Sequence, residues 1–289
     1  MSTRITTLVE NTQGEHLALR CEHGISFFIE KDGFRMLFDL GQTDLFIQNA
    51  SRIGIDPLSA EFVAISHGHY DHSGGFKALV KAGFKGTLAT GSGFFDRKYA
   101  SDGISLEYLG NDFDEAYLNN VGIAHKVCCN WVERIADGIF ILSAFPRVHP
   151  SETPNPRFLV ERGGRMVKDD FGDEISIAVG SSKGFILILG CSHPGVMNIL
   201  DSARSSLPGP IFAVIGGTHL VEASPERLKE SVDYLDGMDI ETIGVSHCTG
   251  VKGVAALSER AHGFYRNTTG HSLFVPMNSD LACTAANRR

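Results

Sequence analysis

The chain has 289 residues, 43% hydrophobic and 21% charged, the balance of an ordinary globular protein with a sizeable core. Its formal net charge is -8, and no run of Lys or Arg forms a stripe that could follow a phosphate backbone, so nucleic acid is not an expected partner. No segment approaches the roughly 20 apolar residues that span a bilayer. The first ten residues also lack the apolar stretch and small-residue cleavage site of a secretory signal, which makes a cytoplasmic, membrane-free protein the expectation. Six cysteines (Cys21, Cys128, Cys129, Cys191, Cys248, Cys283) are too few and too irregular for a disulfide scaffold, and reduced thiols are expected.

Residues 25–30 and 35–39 are β-rich runs joined by Lys31-Asp32-Gly33, which predicts a hairpin turning at Asp-Gly and ending at Asp39. Residues 61–66 form a short apolar strand running straight into His67-Gly68-His69-Tyr70-Asp71-His72, and the pattern after it predicts a helix with Ser73 as its N-cap. The stretch from about 85 to 170 is weaker in pattern than its flanks. One domain spanning 1–289, with a long insertion at about 85–170 beside the site, fits best. Residues 138–143, 175–179, 184–190, 211–215 and 242–246 are further short apolar strands, with helical patterns at 194–203 and 224–235. This order predicts an α/β protein with buried sheets covered by helices.

Three of the later strands run into a histidine: Gly190-Cys191-Ser192-His193, Gly216-Gly217-Thr218-His219 and Ser246-His247-Cys248. Ligands delivered from several strand ends are how a rigid scaffold holds a site. In the first cluster, His67 and His69 sit two apart and face the same way on an extended segment, so they can share one metal. Asp71 and His72 then address a second divalent ion, about 3.5 to 4 Å away in two-metal hydrolytic centres. Three imidazoles and a carboxylate within six residues would be hard to bury unpaired, which favours metal over a structural role. Zinc is the expected metal, with iron and manganese compatible. Taken singly, His16, His23, His125, His149, His262 and His271 read as ordinary structural or surface histidines, and Asp201 as a solvated helix residue.

The run His67 to His72 resembles the H-x-H-x-D-H signature of the metallo-β-lactamase superfamily. A narrower resemblance runs through Leu8-Val9-Glu10-Asn11, Glu22-His23-Gly24-Ile25-Ser26, Gly190 to Gly195, Gly216 to Leu220 and His247 to Gly250. It points to the branch named 7,8-dihydropterin-6-methyl-4-(β-D-ribofuranosyl)aminobenzene-5'-phosphate synthase, or dihydropteroate-synthase-like. The resemblance implies an αββα four-layer sandwich, Asp39 orienting a ligand imidazole, and His247 on the second metal. The chain departs from the common pattern at the middle ligands, where Gly190-Cys191-Ser192-His193 stands; His193 is the expected replacement, with Cys191 as the thiolate alternative. Asp173 and Glu174 resemble the branch's acidic motif. Together with His23, from the branch's His-Gly-x-Ser, and with Arg147, which could meet a phosphate, they are the candidate substrate-binding residues.

The expected function is a metal-dependent hydrolase in which water between two metals, deprotonated near neutral pH, attacks a small-molecule (phospho)ester. Asp71 would orient that nucleophile and His219 would donate to the leaving group or steady its charge. The alternative is a transferase condensing a dihydropterin with a ribofuranosyl-aminobenzene phosphate. A di-iron redox protein is the third reading, disfavoured because Cys191-Ser192-His193 stands where such relatives carry carboxylates. The substrate, phosphorylated or pterin-like, is not readable from one sequence; neither is the oligomeric state, although a homodimer is compatible with it.

Overall fold

The computed structural model describes residues 2–276. Cys283 lies outside the described residues, and the other five cysteines are free thiols. Two seven-stranded sheets lie face to face. The first runs Ser272–Val275, Thr3–Val9, Ser26–Lys31, Phe34–Phe38, Phe62–Ala64, Thr87–Gly91, Ala124–Cys128 in spatial order. The second runs Phe264–Arg266, Thr242–Ser246, Ile211–Gly217, Gly184–Leu189, Ser176–Ser181, Ile139–Leu142, Val132–Ala136.

The period of two along each strand sorts side chains between two cores. Phe27 and Ile29 point inward with Met36 and Phe38, meeting Ile177, Ile186, Ile188 and Ile215 of the second sheet. Their neighbours Phe28 and Leu37 point outward, into a core shared with Phe46 and Ala50 of helix Leu45–Arg52 and with Phe76 and Leu79 of helix Phe76–Ala82. On the far side, Leu187 and Leu189 meet helices Val196–Ser206, Pro225–Asp236 and Gly250–Arg260. Helix, sheet, sheet, helix is thus the layering, and strands buried on both faces read as continuous apolar runs. That is why they were legible in the sequence.

The hairpin forms as expected: Lys31 pairs with Phe34, and Asp32 and Gly33 both take the positive φ that a two-residue turn requires, at 51° and 95°. Ser224 caps its helix by accepting the Arg227 N–H. Ser73 does not cap the next helix. It ends a short helix, Tyr70–Ser73, its hydroxyl donating to the His69 carbonyl, and the following helix starts after Gly75 without a side-chain cap.

Residues 85–170 are shared among three sheets. Thr87–Gly91 and Ala124–Cys128 extend the first, while Val132–Ala136 and Ile139–Leu142 extend the second. Arg97–Ser101 and Leu106–Tyr108 join Phe158–Arg162 and Arg165–Lys168 in a separate four-stranded antiparallel sheet. Among the described residues no helix is long and apolar enough to cross a membrane.

Leu187 is fully buried between sheet and helices. Leu187→Ala is therefore expected to cost about 2–5 kcal/mol in urea denaturation; a loss below about 1 kcal/mol would contradict its place in the core.

Candidate metal centre

The strands that lead into Asp39 and the histidines run parallel within each sheet: Phe34–Phe38 beside Phe62–Ala64 in the first, and Gly184–Leu189, Ile211–Gly217 and Thr242–Ser246 in the second. Parallel strands bring their carboxyl ends to one edge, so the loops after them converge. Asp39, Ser192, His219 and His247 all lie in those loops at positive φ, between 46° and 63°. Such backbone is costly for residues with a Cβ and persists where surroundings over-determine it.

His67, His69 and His193 come together with ring centroids 4.5, 4.9 and 5.2 Å apart. One nitrogen from each lies within 4.8 Å of the others. Burial lowers all three far below the usual imidazole range, so they are neutral. All three Nε2 atoms are buried with no hydrogen-bond partner, which is a cost unless something accepts their lone pairs. Three free imidazole nitrogens aimed at one point fit a divalent metal.

A second group lies alongside. Asp71 Oδ2 is 3.3 Å from His247 Nε2, 3.2 Å from His23 Nε2 and 3.7 Å from His72 Nε2. His72 Nε2 also meets Cys191 Sγ at 3.2 Å. Burial opposes ionisation of Asp71, yet His72, His23 and His247 beside it hold its carboxyl well below the usual range. Burial likewise opposes charging His72, but Asp39 and Asp71 outweigh it and lift the imidazole to about 9. Asp71 with His23 and His247, and Cys191 with His67 and His72, each bring three donor atoms within 4.8 Å of one another, donor sets that also suit a divalent metal.

Behind these groups, Asp39 accepts from His72 Nδ1 at 2.7 Å and from the Ser66 N–H and hydroxyl at 2.6 and 2.8 Å. His247 is held by Glu10, which accepts its N–H at 2.6 Å, and by Asn11, whose Oδ1 is 2.9 Å from Nδ1. Glu10 and Asn11 sit just past the strand Thr3–Val9; sequence reasoning marked them only as part of a resemblance and did not foresee this role. His219 adjoins His193, with ring centroids 4.2 Å apart, but does not enter either donor group. Burial, with Arg227 nearby, lowers it to about 3, so it too is neutral.

A cavity of about 270 Å³ opens over both groups, lined by the buried Asp71, His193, His219 and His247 and by the more exposed His23, Tyr70, Glu107, Arg157 and Glu222. Three expected substrate-binding residues stand elsewhere. Arg147 does not line the cavity; its guanidinium donates to the Asp170 carbonyl. Asp173 and Glu174 are buried beneath the loops, where Asp173 accepts the Gly68 N–H at 2.8 Å and Glu174 accepts those of Ser192 and His193 at 2.5 and 2.9 Å. Loop N–H groups turned inward need acceptors, and these carboxylates supply them. The arginine that does reach the cavity is Arg157, which nothing in the sequence distinguished from Arg147.

In the metal-free protein burial pushes Glu174 up to about 8, against its two backbone donors. The folded state then keeps a proton that the unfolded chain releases, so the contribution is complete below about pH 4.5 and lost as pH rises through about 8. His72 acts with the same sign, between about 6.5 and 9. Metal-stripped protein is expected to gain stability as pH rises toward about 6.5, because His67, His69, His193 and His219 stay neutral when folded and take protons when unfolded, and then to lose it from about pH 7 to about pH 9 in denaturation series. Glu174→Gln should flatten the fall between about pH 7 and 8; an unchanged slope there would remove Glu174 from the account.

Comparison with known proteins gives a family and a fold. A family profile described as "Metallo-beta-lactamase superfamily" matches residues 20–167. Two relatives come from Methanocaldococcus jannaschii. One, named 7,8-dihydropterin-6-methyl-4-(beta-D-ribofuranosyl)-aminobenzene-5'-phosphate synthase, is 29% identical over 86% of this chain and 88% of that protein. The other, named Uncharacterized protein MJ0448, is 31% identical over 88% of this chain and 94% of its own length. Among solved structures, Tm1679, described as a metal-dependent hydrolase of the beta-lactamase superfamily, superposes with a TM-score of 0.81 at 30% identity, covering 94% of this chain and 98% of that one. Zn(2+)-bound PqqB from Methylobacterium extorquens shares the fold alone, with a TM-score of 0.53 at 12% identity over 93% of this chain and 99% of that one.

Proposed function

The chain belongs to the metallo-β-lactamase superfamily, and on that footing we propose that it is a metal-dependent hydrolase of a small-molecule (phospho)ester, holding two divalent ions, zinc for preference. The observation that carries this reading is the set of three buried, unpartnered Nε2 atoms on His67, His69 and His193, converging beside a separate carboxylate-centred group. His67, His69 and His193 would hold one ion, and Asp71, His72 and His247 the other, with Cys191 as a thiolate donor to the second. The similarity to Tm1679, itself described as a metal-dependent hydrolase, supports the same class.

Bound dications in such a centre supply Lewis acidity and make a water acidic near neutral pH. The chain supplies the rest. Asp71, ionised and facing the cavity floor, orients the attacking water. His219, neutral at working pH, offers one N–H to charge developing on the substrate; with its pKa near 3 it acts as a hydrogen-bond donor and not as a proton source. Walls of Phe158 and Leu109 exclude water from part of the cavity.

A second reading, a transferase that joins a dihydropterin to a phosphorylated ribosyl-aminobenzene, is favoured by the synthase name of the 29% identical relative. Turnover of a generic phosphodiester with metal alone supports the hydrolase; an absolute need for two organic substrates supports the transferase.

Elemental analysis of protein purified without added metal is expected to give about two divalent ions per chain, the number of two-metal hydrolytic centres, falling in His67→Ala and His193→Ala. Metal content indifferent to both variants would overturn the ligand assignment. His219→Ala should keep its metal and KM but lose about a hundredfold or more in kcat; full kcat in steady-state assays would remove His219 from the chemistry.

A further inference from the structure

The small antiparallel sheet is fastened to the histidine loops by one buried cation. Lys98, in its strand Arg97–Ser101, is 1% exposed. Its ammonium donates to Asp169 Oδ2 at 2.6 Å and to Asp173 Oδ1 at 2.9 Å, and lies 5.0 Å from the centre of the Phe171 ring. The other Asp173 oxygen accepts the N–H of Gly68, the residue that spaces His67 from His69. Phe171 lies flat on His193, 3.7 Å between centroids and 6° between planes. Lys98 is therefore one partner removed from the backbone between two of the converging histidines and from the ring of the third.

Burying an ammonium with two carboxylates carries a heavy desolvation penalty, and apolar side chains of the same volume often serve stability as well or better. Stability alone does not account for this cluster. Metal ligands, by contrast, must be held to within about half an ångström, and groups behind them commonly change affinity by 10- to 100-fold. Gly68 leaves no freedom of its own: a Cβ there would lie 2.3 Å from the Phe94 carbonyl and 3.3 Å from Lys98 Cε, so the loop is seated directly against this cation.

We propose that Lys98 is a positioning residue for the three-histidine metal position. Through Asp173 it fixes the peptide between His67 and His69, and through Phe171 it seats His193. The inference rests on the reading of these histidines as metal ligands given above.

Cobalt(II) titrated into the metal-stripped full chain tests it, with visible absorption reporting ligand number and geometry and His193→Ala identifying which band belongs to the three-histidine position. In Lys98→Met that position loses about 10- to 100-fold in cobalt affinity and its band shifts; the metal-free protein also melts lower, because Asp169 and Asp173 are left buried without their cation, so the band shift is the readout that separates positioning from folding. Lys98→Arg, which keeps the cation, recovers most of the affinity. Wild-type affinity with a wild-type band in Lys98→Met overturns the proposal, as does a parallel fall of affinity and melting temperature with no band shift, which would assign Lys98 to folding alone. Should Lys98→Met fail to fold, Asp173→Asn, of equal size and still able to accept from Gly68, carries the same expected loss, and wild-type behaviour there is equally fatal. Absence of cobalt binding in the wild-type chain would instead overturn the metal reading itself.

Discussion

The edge of the sandwich depends on the carboxylate of Asp39, which no water reaches. A carboxylate in that position must have its oxygens satisfied by the protein. The Ser66 N–H takes Oδ1, while the Ser66 hydroxyl and His72 Nδ1 share Oδ2, so one side chain from the end of Phe34–Phe38 ties down the loop after Phe62–Ala64 and the helix turn beyond it. The second sheet closes in from the other side. A Cβ at Gly190 would lie 2.2 Å from Ser66 Oγ and 3.3 Å from Asp39 Oδ2, so only a glycine lets Cys191 and His193 approach this group.

Two neighbouring positions result, with opposite electrostatics. The three-histidine position is neutral, and its lone pairs are exposed by default because burial removes the protons. At the other, His72 holds a proton up to about 9 between Asp39 and Asp71, and Asp71 stays ionised. With Asp39 engaging Nδ1, the Nε2 proton is the one facing Asp71 and Cys191. A cation bound at the second position would release that proton, whereas one at the three-histidine position would release far less.

Selectivity has a different origin. The rim of the cavity comes from loops and from the small sheet: Arg157 lies 4.3 Å from the Phe158 ring centre and pairs with Glu222 at 2.7 Å, while Phe158 packs against His69 and His193. The cavity thus presents a half-exposed ion pair one aromatic ring away from the histidines. Elements that carry no donor themselves shape what reaches them.

The αββα layering, the hairpin at Asp32-Gly33 and the convergence of His67, His69, Asp71, His72, His193 and His247 were legible because they follow from local rules. Strands buried on both faces must be continuously apolar, and a side chain at a strand end stands next to that run in the sequence. Tertiary structure alone decided which carboxylates serve as support. Asp173 and Glu174 resemble substrate-binding residues when read along the chain, yet the fold turns them under the loops as acceptors for three inward N–H groups. It likewise chose Arg157 over Arg147, ten residues earlier, and sent Lys98 inward to two aspartates more than 70 residues away. Composition and spacing determine which residues can carry chemistry. Which of them face the cavity depends on the burial of polar groups whose partners are distant in the chain, and only the assembled sheets set those pairings.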